Sequence, residues 1–205
     1  MASVTSTYLG IDLGTTALKC LITDHKQPVV GLAEVSLPTV RPQPGWSEQK
    51  PQDWWLALGK ACKILRAGSH KDWGRIAAIG LSGQMHGAVI LDGAGQVLRP
   101  AILWNDGRAG AEATRFNGKF SDIGQIAGGP AVAGFTAPKL LWLQAHEPKV
   151  SKQLAMVLAP KDYLRFRMSG EFITDPCDAS GMLLLDVAER KWSTSLVEAA
   201  GIRLE

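Results

Sequence analysis

The sequence Tyr8-Leu-Gly-Ile-Asp-Leu-Gly-Thr-Thr-Ala-Leu-Lys-Cys-Leu-Ile-Thr23 sets a carboxylate and a Gly-Thr-Thr turn between two short apolar runs. The first run, 8–13, is typical of a buried strand, and polar residues alternate with apolar ones in the second, 18–23, which predicts a hairpin. We expect Gly14 to take a positive φ and to let a ligand approach the backbone closely. Thr15 and Thr16 add hydroxyls beside successive backbone N–H groups, which suits phosphate oxygens. The hairpin is therefore a candidate phosphate site.

Asp12 stands at the end of the first predicted strand, beside the turn. A carboxylate does not bind phosphate directly, but it can hold Mg²⁺, which prefers one or two carboxylates together with phosphate oxygens and water. The alternative is an ordinary hairpin in which Asp12 accepts hydrogen bonds from neighbouring turn amides, since turns favour these residue types. Asp12 is the candidate metal ligand and catalytic residue, and both interpretations stay open at this point.

The composition is typical of a globular protein with one domain, or one domain and a small appendage. Hydrophobic residues make up 46% and charged residues 20% of the 205 positions, and no run approaches the roughly 20 apolar residues that cross a bilayer. The N-terminus shows no secretory signal, so we expect a cytoplasmic protein with no membrane partner. The net charge of +3 is scattered, which disfavours nucleic acid as a partner. Three widely spaced cysteines disfavour a disulfide framework or structural zinc.

The rest of the chain alternates predicted strands and helices. A third strand over 29–37 completes an antiparallel meander, and Pro51 opens an amphipathic helix whose apolar seam includes Trp54. Further strands are predicted over 75–82, 87–91, 100–104 and 155–159, a late hairpin over 172–174 and 181–185, and helices from near Gly107, over 136–147 and from Ser193 to Gly201. This order predicts an α/β fold in which a mixed sheet starts with the meander and has helices on both faces. It resembles the ribonuclease-H-like or actin-like ATPase fold.

Seven motifs, in order along the chain, resemble those of one family. They are Gly10-Ile-Asp-Leu-Gly-Thr-Thr16, Gly45-Trp-Ser-Glu-Gln49, Trp54-Trp55, Gly83-Gln-Met-His-Gly87, Arg99-Pro-Ala-Ile-Leu-Trp-Asn-Asp-Gly-Arg108, Gly134-Phe-Thr-Ala-Pro-Lys139 and Pro160-Lys-Asp-Tyr-Leu-Arg165. From Tyr8 to about Gly201, the chain is similar to the N-terminal domain of the FGGY carbohydrate kinase family. The stretches 83–87 and 103–108 resemble members that phosphorylate D-xylulose more than those that act on glycerol or ribulose.

The resemblance implies transfer of a phosphoryl group from ATP, with Mg²⁺, to a sugar hydroxyl in a cleft between two actin-like domains. It carries Asp12 over as the carboxylate that organises Mg²⁺ and the phosphates. The implied phosphate-binding hairpin and the basic residue beside it are Gly14, Thr15, Thr16 and Lys19. The implied sugar-binding residues are Gln84, Met85, His86, Asn105, Asp106 and Arg108. These types suit a sugar, whose hydroxyls donate and accept hydrogen bonds, and Trp104 would supply an apolar wall.

Several of these positions also have a structural alternative. His86 is typical of a core histidine bonded to a backbone carbonyl, Asp106 of the N-cap of the following helix, and Arg108 of an ion-pair partner for Asp106. Lys161-Asp162 is expected to tie a helix start to the sheet. Turn hydrogen bonds are the expectation for Asp175, Asp178 and Ser180.

The family places the aspartate that accepts the hydroxyl proton in a later Gly-rich segment, and the chain has no Gly-Gly-Gly-Asp or similar stretch. We therefore expect residues 1–205 to be the sugar-binding N-terminal part of an enzyme, with the C-terminal nucleotide domain missing, and to be inactive alone. The alternatives are a kinase for another ketose or polyol such as ribulose, gluconate or glycerol, a non-catalytic sugar-binding or dimerising module, and a nuclease, which needs clustered carboxylates for two metals. A homodimer is left open.

Overall fold

The computed structural model describes residues 6–120 and 122–202. The strands are β1 (Thr7–Leu13), β2 (Ala17–Thr23), β3 (Gly31–Ser36), β4 (Glu48–Gln49), β5 (Ile76–Gly83), β6 (Val89–Leu91), β7 (Ala101–Ile102), β8 (Met156–Leu158), β9 (Leu185–Asp186) and β10 (Lys191–Trp192). The helices are α1 (Pro51–Gly68), α2 (His70–Trp73), α3 (Gly110–Lys119), α4 (Ile123–Ala127), α5 (Thr136–His146), α6 (Pro148–Ser151), α7 (Pro160–Ser169), α8 (Pro176–Gly181) and α9 (Thr194–Ala199). Within the described ranges, none of these helices has the length and apolar character needed to cross a bilayer.

The chain divides into two compact units, neither of which is continuous in sequence. Unit 1 consists of Met1–Thr39 and Gln52–Gln84, and unit 2 consists of Val40–Pro51 and Met85–Glu205. Unit 1 therefore contains the predicted phosphate hairpin. Unit 2 contains most of the predicted sugar-binding residues.

Unit 1 is built on a four-stranded sheet with the strand order β3-β2-β1-β5. The pairs β1–β2 and β2–β3 are antiparallel, and β5 runs parallel to β1. A parallel neighbour needs a crossover connection, and α1 lies in the connection between β3 and β5. The predicted meander and the predicted mixed sheet are both confirmed.

One face of this sheet is buried because apolar residues recur at every second position of its strands. The buried residues of β1 and β2 include Leu9, Ile11, Leu13, Leu18, Cys20 and Ile22. α1 packs closely on β3, since a Cβ added to Gly31 would lie 3.2 Å from the Leu65 side chain. Trp54 of α1 is fully buried, as its place in the apolar seam predicts, and its replacement by alanine would destabilise the fold by about 3–5 kcal/mol.

The opposite face of the same sheet is exposed. Tyr8 and Leu32 expose 44% and 61% of their surface, and Asp12 and Lys19 are exposed as well. The sequence predicts helices on both faces of the sheet, and α1 covers one of them. The polar side chains at the end of β1 and the start of β2 are consequently accessible to a ligand.

Unit 2 has short strand pairs around a core made largely of helices. β4 pairs with β7, β6 with β8 and β9 with β10, all antiparallel. The core includes Ile90, Ile102, Phe116, Leu140, Leu143, Leu184, Leu196 and Val197. α5, which the sequence predicts over 136–147, is buried along its first turns, and Lys139 is fully buried with them.

One predicted helix starts later than expected, and one predicted hairpin is wrong. The helix expected from near Gly107 begins at Gly110, because Asp106 accepts a hydrogen bond from the Arg108 backbone and stabilises a turn before the helix. The late hairpin expected over 172–174 and 181–185 is also not formed. Pro176–Gly181 is the helix α8, which Asp175 caps, and β9 pairs with β10 instead.

Candidate functional site

Asp12 is exposed at the end of β1, where the neighbouring strands bring other polar side chains beside it. Its register partners are Lys19 on β2 and Ser82 on β5. Lys19 forms an ion pair with Glu34 of β3 at 3.7 Å, with side chains 53% and 54% exposed, so this pair contributes at most about 1 kcal/mol. Among the described residues, the side chain of Asp12 has no hydrogen-bond or ion-pair partner. The alternative in which Asp12 bonds to turn amides is therefore not seen.

Gly14 is tightly packed, and its backbone conformation is ordinary. We expected a positive φ, but Gly14 is not among the glycines in that region. Glycine is needed because a Cβ at this position would lie 2.9 Å from the Ala17 carbonyl oxygen. Thr16 is exposed, and its carbonyl accepts a hydrogen bond from the Leu37 backbone N–H at 2.8 Å. The turn is compact, with the Thr16 side chain accessible to solvent.

Thr15 connects the turn to Gln84. Thr15 Oγ1 donates to Gln84 Oε1 at 3.2 Å, and the Gln84 backbone N–H donates to the Leu13 carbonyl at 2.7 Å. Both bonds lie within unit 1. The structure thus brings Gln84, which the sequence assigns to sugar binding, to the predicted phosphate hairpin.

His86 combines an unusual backbone with a fixed ring. Its φ is 60°, in the left-handed region that residues other than glycine rarely adopt. The ring Nδ1 lies 3.0 Å from the Gly181 carbonyl oxygen, and the ring packs on Phe135 with centroids 4.4 Å apart. A Cβ on Gly181 would overlap the His86 ring. The observed ring position therefore depends on the glycine at 181.

The bond to Gly181 determines what the His86 ring can offer to a ligand. A carbonyl oxygen only accepts, so Nδ1 carries the hydrogen, and in a neutral ring Nε2 is an acceptor. Burial lowers the pKa of His86, and this effect, with the nearby charge of Lys139, outweighs the opposing effect of the Gly181 carbonyl. The ring is consequently neutral at pH 7. Among the described residues Nε2 has no partner, so the core-histidine alternative accounts for Nδ1 alone.

Trp104, Asn105 and Met85 present accessible surface. Trp104 is 46% exposed and Met85 is 52% exposed, and Asn105 is exposed next to Trp104. Gly134 lies so close to this segment that a Cβ there would overlap the Trp104 carbonyl oxygen. The segment therefore offers both an aromatic face and an amide to a ligand while its main chain is held by close packing.

Asp106 and Arg108 are buried in a network of their own. Asp106 Oδ2 accepts a hydrogen bond from the Ser47 backbone, and Oδ1 accepts from the backbone N–H and the Nε of Arg108, both at 2.9 Å. The Arg108 guanidinium lies 3.6 Å from the Trp46 ring centroid and 2.7 Å from a Glu48 carboxylate oxygen. Only 1% of the Arg108 side chain and none of the Asp106 side chain are exposed. The ion pair that the sequence left open between them is present.

Lys139 binds the main chain of His86, one of the predicted sugar-binding residues, and of Gly134, which packs on Trp104. Sequence reasoning assigned Lys139 no role. It is fully buried in the first turns of α5. Its Nζ donates to the carbonyl oxygens of His86 and Gly134, both at 2.7 Å. The available signal was a single lysine in the apolar stretch Thr136-Ala-Pro-Lys-Leu-Leu-Trp142. The sequence does not say which groups the amine reaches.

Three carboxylates surround Lys161 at the junction of α7 and α8. Its Nζ lies 2.5, 2.8 and 3.1 Å from oxygens of Asp162, Asp175 and Asp178. Burial acts to lower the pKa of Lys161, but the three carboxylates outweigh burial and raise it. The ammonium therefore stays charged, and its single positive charge offsets part of the negative charge of the cluster. Lys161 and Asp162 thus have a structural role at a helix start, as expected, but these ion pairs join α7 to the start of α8 instead of to the sheet.

The mixed sheet, its initial meander and the exposed carboxylate beside a Gly-Thr-Thr turn define the class: an α/β domain of the actin-like ATPase type. The family model for the FGGY family of carbohydrate kinases, N-terminal domain, matches residues 7–205. The chain belongs to this family. The xylulose kinases of Escherichia coli (strain K12) and Klebsiella pneumoniae are 47% and 48% identical over 195 residues, which are 95% of this chain and 40% of either relative.

A solved structure agrees with this assignment. The crystal structure of a xyloylose kinase from Brucella ovis has a TM-score of 0.93 at 45% identity, and the match covers 96% of this chain and 41% of that chain. FGGY sugar kinases have the actin-like ATPase fold, so the predicted fold is confirmed. The chain spans about two fifths of the length of the curated relatives that it matches.

Proposed function

We propose that the chain is the N-terminal, sugar-binding part of a kinase that transfers the γ-phosphoryl group of ATP to D-xylulose and forms D-xylulose 5-phosphate. The single observation that carries the choice of substrate is the 47% identity to a xylulose kinase over 95% of the chain. The aligned residues include nearly all of unit 1 and of unit 2. The side chains described above support the proposal because they suit a phosphate tail and a polyhydroxylated ligand.

The hairpin of unit 1 is our candidate for the phosphate end of ATP. Phosphate oxygens would meet the backbone amides and hydroxyls of the turn at Gly14, Thr15 and Thr16. Asp12 would hold Mg²⁺, because one exposed carboxylate is sufficient where phosphate oxygens and water complete the coordination. Bound Mg²⁺ neutralises negative charge on the phosphate oxygens. Lys19, in register with Asp12, adds positive charge on the same face.

The sugar would be bound through fixed acceptors and an apolar wall. His86 Nε2 accepts a hydrogen bond from a sugar hydroxyl, since Nδ1 is committed to Gly181. Trp104 provides an apolar face of the kind that carbohydrate CH groups pack against. The proposed sugar contacts are Gln84, Met85, His86, Trp104 and Asn105. We assign Asp106 and Arg108 to the orientation of the loop that carries Asn105, because both side chains are buried in mutual contacts.

The proton of the attacking sugar hydroxyl needs an acceptor, and a positioned carboxylate accelerates such transfers by roughly 10²–10⁴-fold. We place this base outside residues 1–205. The relatives are about two and a half times as long as this chain, since 195 aligned residues are 40% of their length. Residues 1–205 alone should therefore bind sugar without turning it over.

The proposal is tested on the full-length protein with ATP and Mg²⁺. Initial rates are measured with D-xylulose, L-ribulose, glycerol and gluconate, and phosphorylated product is identified by mass. We expect D-xylulose to have the highest kcat/KM. A higher kcat/KM for another substrate would make the protein a kinase for that ketose or polyol. Absence of turnover with every substrate would instead support a non-catalytic sugar-binding module.

The placement of the base is tested separately on residues 1–205. Isothermal calorimetry measures D-xylulose binding, and a coupled assay measures ADP formation. We expect binding without turnover. Steady ADP formation that depends on D-xylulose would show that this part of the chain contains its own base, which would contradict the proposal.

A further inference from the structure

We propose that Lys139 is a positioning residue for sugar binding, because its buried amine fixes the main chain of His86 and thereby the direction in which the His86 ring faces a sugar hydroxyl. The inference rests on the proposed function, in which His86 contacts the sugar. It adds a residue that acts on sugar binding through its hydrogen bond to the main-chain carbonyl of His86.

Lys139 occupies a position in which lysine is rarely found. Its side chain is 0% exposed, and lysine is almost never fully buried unless its amine is paired. Here the partners are two main-chain carbonyls, those of His86 and Gly134, each 2.7 Å from Nζ. Burial lowers the pKa of Lys139 to about 7, while Asp106 acts to raise it and Arg108 to lower it. Protonated or neutral, the amine has enough N–H groups for both carbonyls.

The first carbonyl belongs to a residue in a strained conformation. His86 has a φ of 60°, and such a conformation persists in an L residue only where the surroundings determine it. Nζ of Lys139 at 2.7 Å and Oγ1 of Thr136 at 3.3 Å both donate to this carbonyl. The carbonyl of Gly181 fixes the ring at its other end. With main chain and ring both fixed, the direction of Nε2 is fixed as well.

The second carbonyl connects Lys139 to the segment that carries Trp104. Gly134 accepts from Nζ, and it packs so closely on the Trp104 carbonyl that a Cβ at 134 would overlap it. One amine therefore joins the main chain of the His86 segment to the residue that packs on the Trp104 segment. Removal of the amine would leave the carbonyls of His86 and Gly134 without this donor, and the two proposed sugar-binding segments would lose a common anchor.

The test compares two lysine substitutions in the full-length protein. Lys139→Met keeps an unbranched apolar chain out to the Cε position and removes the amine with its donors. We expect KM for D-xylulose to rise by about 10–100-fold while KM for ATP changes by less than about twofold. Lys149→Met, at an exposed lysine of α6, is the matched control and should change neither. A folded Lys139→Met enzyme with an unchanged KM for D-xylulose would overturn the inference.

A double-mutant cycle separates positioning from general stabilisation. His86→Ala is made alone and together with Lys139→Met. If Lys139 acts through His86, the double mutant should have nearly the same KM for D-xylulose as His86→Ala alone. Independent effects that multiply would show that Lys139 has only a structural role. If His86→Ala leaves KM for D-xylulose unchanged, the failure lies in the proposed sugar contact of His86 itself.

Thr136→Val provides the decisive measurement if Lys139→Met does not fold. The substitution keeps the shape of a β-branched side chain and removes the weaker donor to the same His86 carbonyl. We expect a rise of about 2–5-fold in KM for D-xylulose and no change in KM for ATP. Equal changes in both KM values, or none in either, would contradict a positioning role for this hydrogen-bonding group.

Discussion

The phosphate hairpin of unit 1 and the His86–Trp104 segments of unit 2 are organised in opposite ways. Asp12 and Lys19 are exposed, and the ion pair of Lys19 with Glu34 is loose. In unit 2, by contrast, the His86 ring and main chain are both fixed by hydrogen bonds, and one of the donors is fully buried. The first region offers charge and main-chain amides, and the second offers directed hydrogen bonds.

The difference follows from what each ligand needs. A triphosphate with Mg²⁺ is recognised by charge and by backbone amides, and the ion keeps several waters, so few side chains have to be held rigidly. A sugar differs from its isomers only in the directions of its hydroxyls, and discrimination requires acceptors with fixed directions. Loss of a charged side chain should therefore impair the proposed phosphate and Mg²⁺ binding in unit 1. Small shifts in the position of a side chain should impair the proposed sugar binding in unit 2.

The largest expected effect is that of Asp12→Ala on kcat. In the full-length enzyme we expect kcat to fall by at least about 10²-fold, as for other groups that stabilise charge in the transition state, while KM for D-xylulose changes by less than about threefold. Steady-state kinetics at saturating Mg²⁺ measure both. Glu34→Gln, which removes a carboxylate from the same face, is the control and should leave kcat unchanged. An Asp12→Ala enzyme with full kcat would refute the metal role of Asp12.

A geometric change in unit 2 should have a smaller effect of a different kind. Gly181→Ala places a methyl group where the His86 ring lies, and the ring must move. We expect KM for D-xylulose to rise by about 10-fold and KM for ATP to stay constant. Gly118→Ala in α3, where an added Cβ meets nothing within 4 Å, is the matched control. If both alanine variants had the same KM for D-xylulose, the ring position would not matter for binding.

Lys139 should also make the stability of the protein depend on pH. Its pKa is lowered from 10.5 to about 7 in the folded state, so between these values the unfolded chain binds one more proton. The free energy of unfolding of the wild type, relative to Lys139→Met, should therefore increase with pH, by at most about 1.4 kcal/mol per unit. Asp106 and Arg108 are the charged groups that act on the amine.

Urea unfolding at pH 7, 8 and 9 measures this slope. Lys149→Met serves as the control, because an exposed lysine should give the same slope as the wild type. Parallel curves for the wild type and Lys139→Met would show that the buried amine keeps the pKa of an ordinary lysine.

The smallest expected effect concerns the Lys19–Glu34 pair. Because both side chains are about half exposed at 3.7 Å, Glu34→Gln should change the free energy of unfolding by less than about 1 kcal/mol. The change should become smaller still at 1 M salt, where charges on the surface are screened. A loss that is larger and independent of salt would mean that Glu34 is more than a surface charge.

Local patterns in the sequence predicted the four sheet strands and α1 of unit 1, whereas the short helix α2 was not predicted. The apolar run 8–13 and the alternation over 18–23 predict the hairpin, and Pro51 predicts the start of α1. In unit 2, Ser193 predicts α9, whose Leu196 N–H it caps. The late hairpin failed because Asp175-Pro176 can start a helix as well as a turn. Here the aspartate accepts from Cys177 and Asp178 and so caps α8. Lys161 of α7 binds the same carboxylate, a contact that the local pattern around Asp175 does not indicate.

The candidate site was predictable by residue type and less so by contact. His86 and Asn105 are the kinds of residue that a sugar needs, and the resemblance to the family is what assigned them to it. The burial of Asp106 depends on the Ser47 backbone, 59 residues away, and no periodic pattern indicates such a bond. Lys139 was missed for the same reason, since its acceptors are main-chain atoms at 86 and 134, and every residue type carries a carbonyl.

The interleaving of the two units constrains how such a protein can be recombined. Ser47 and Glu48 belong to the inserted stretch Val40–Pro51, and they bind Asp106 and Arg108 from the second stretch of unit 2. In a chimera that takes only residues 85–205 from a homologue, the residues at 106 and 108 would come from the homologue. Their partners at 47 and 48 would come from this chain. We therefore expect sugar preference to be exchanged between relatives only when both stretches of unit 2 are exchanged together. Such a chimera has one crossover point before residue 40, one before residue 52 and one after residue 84.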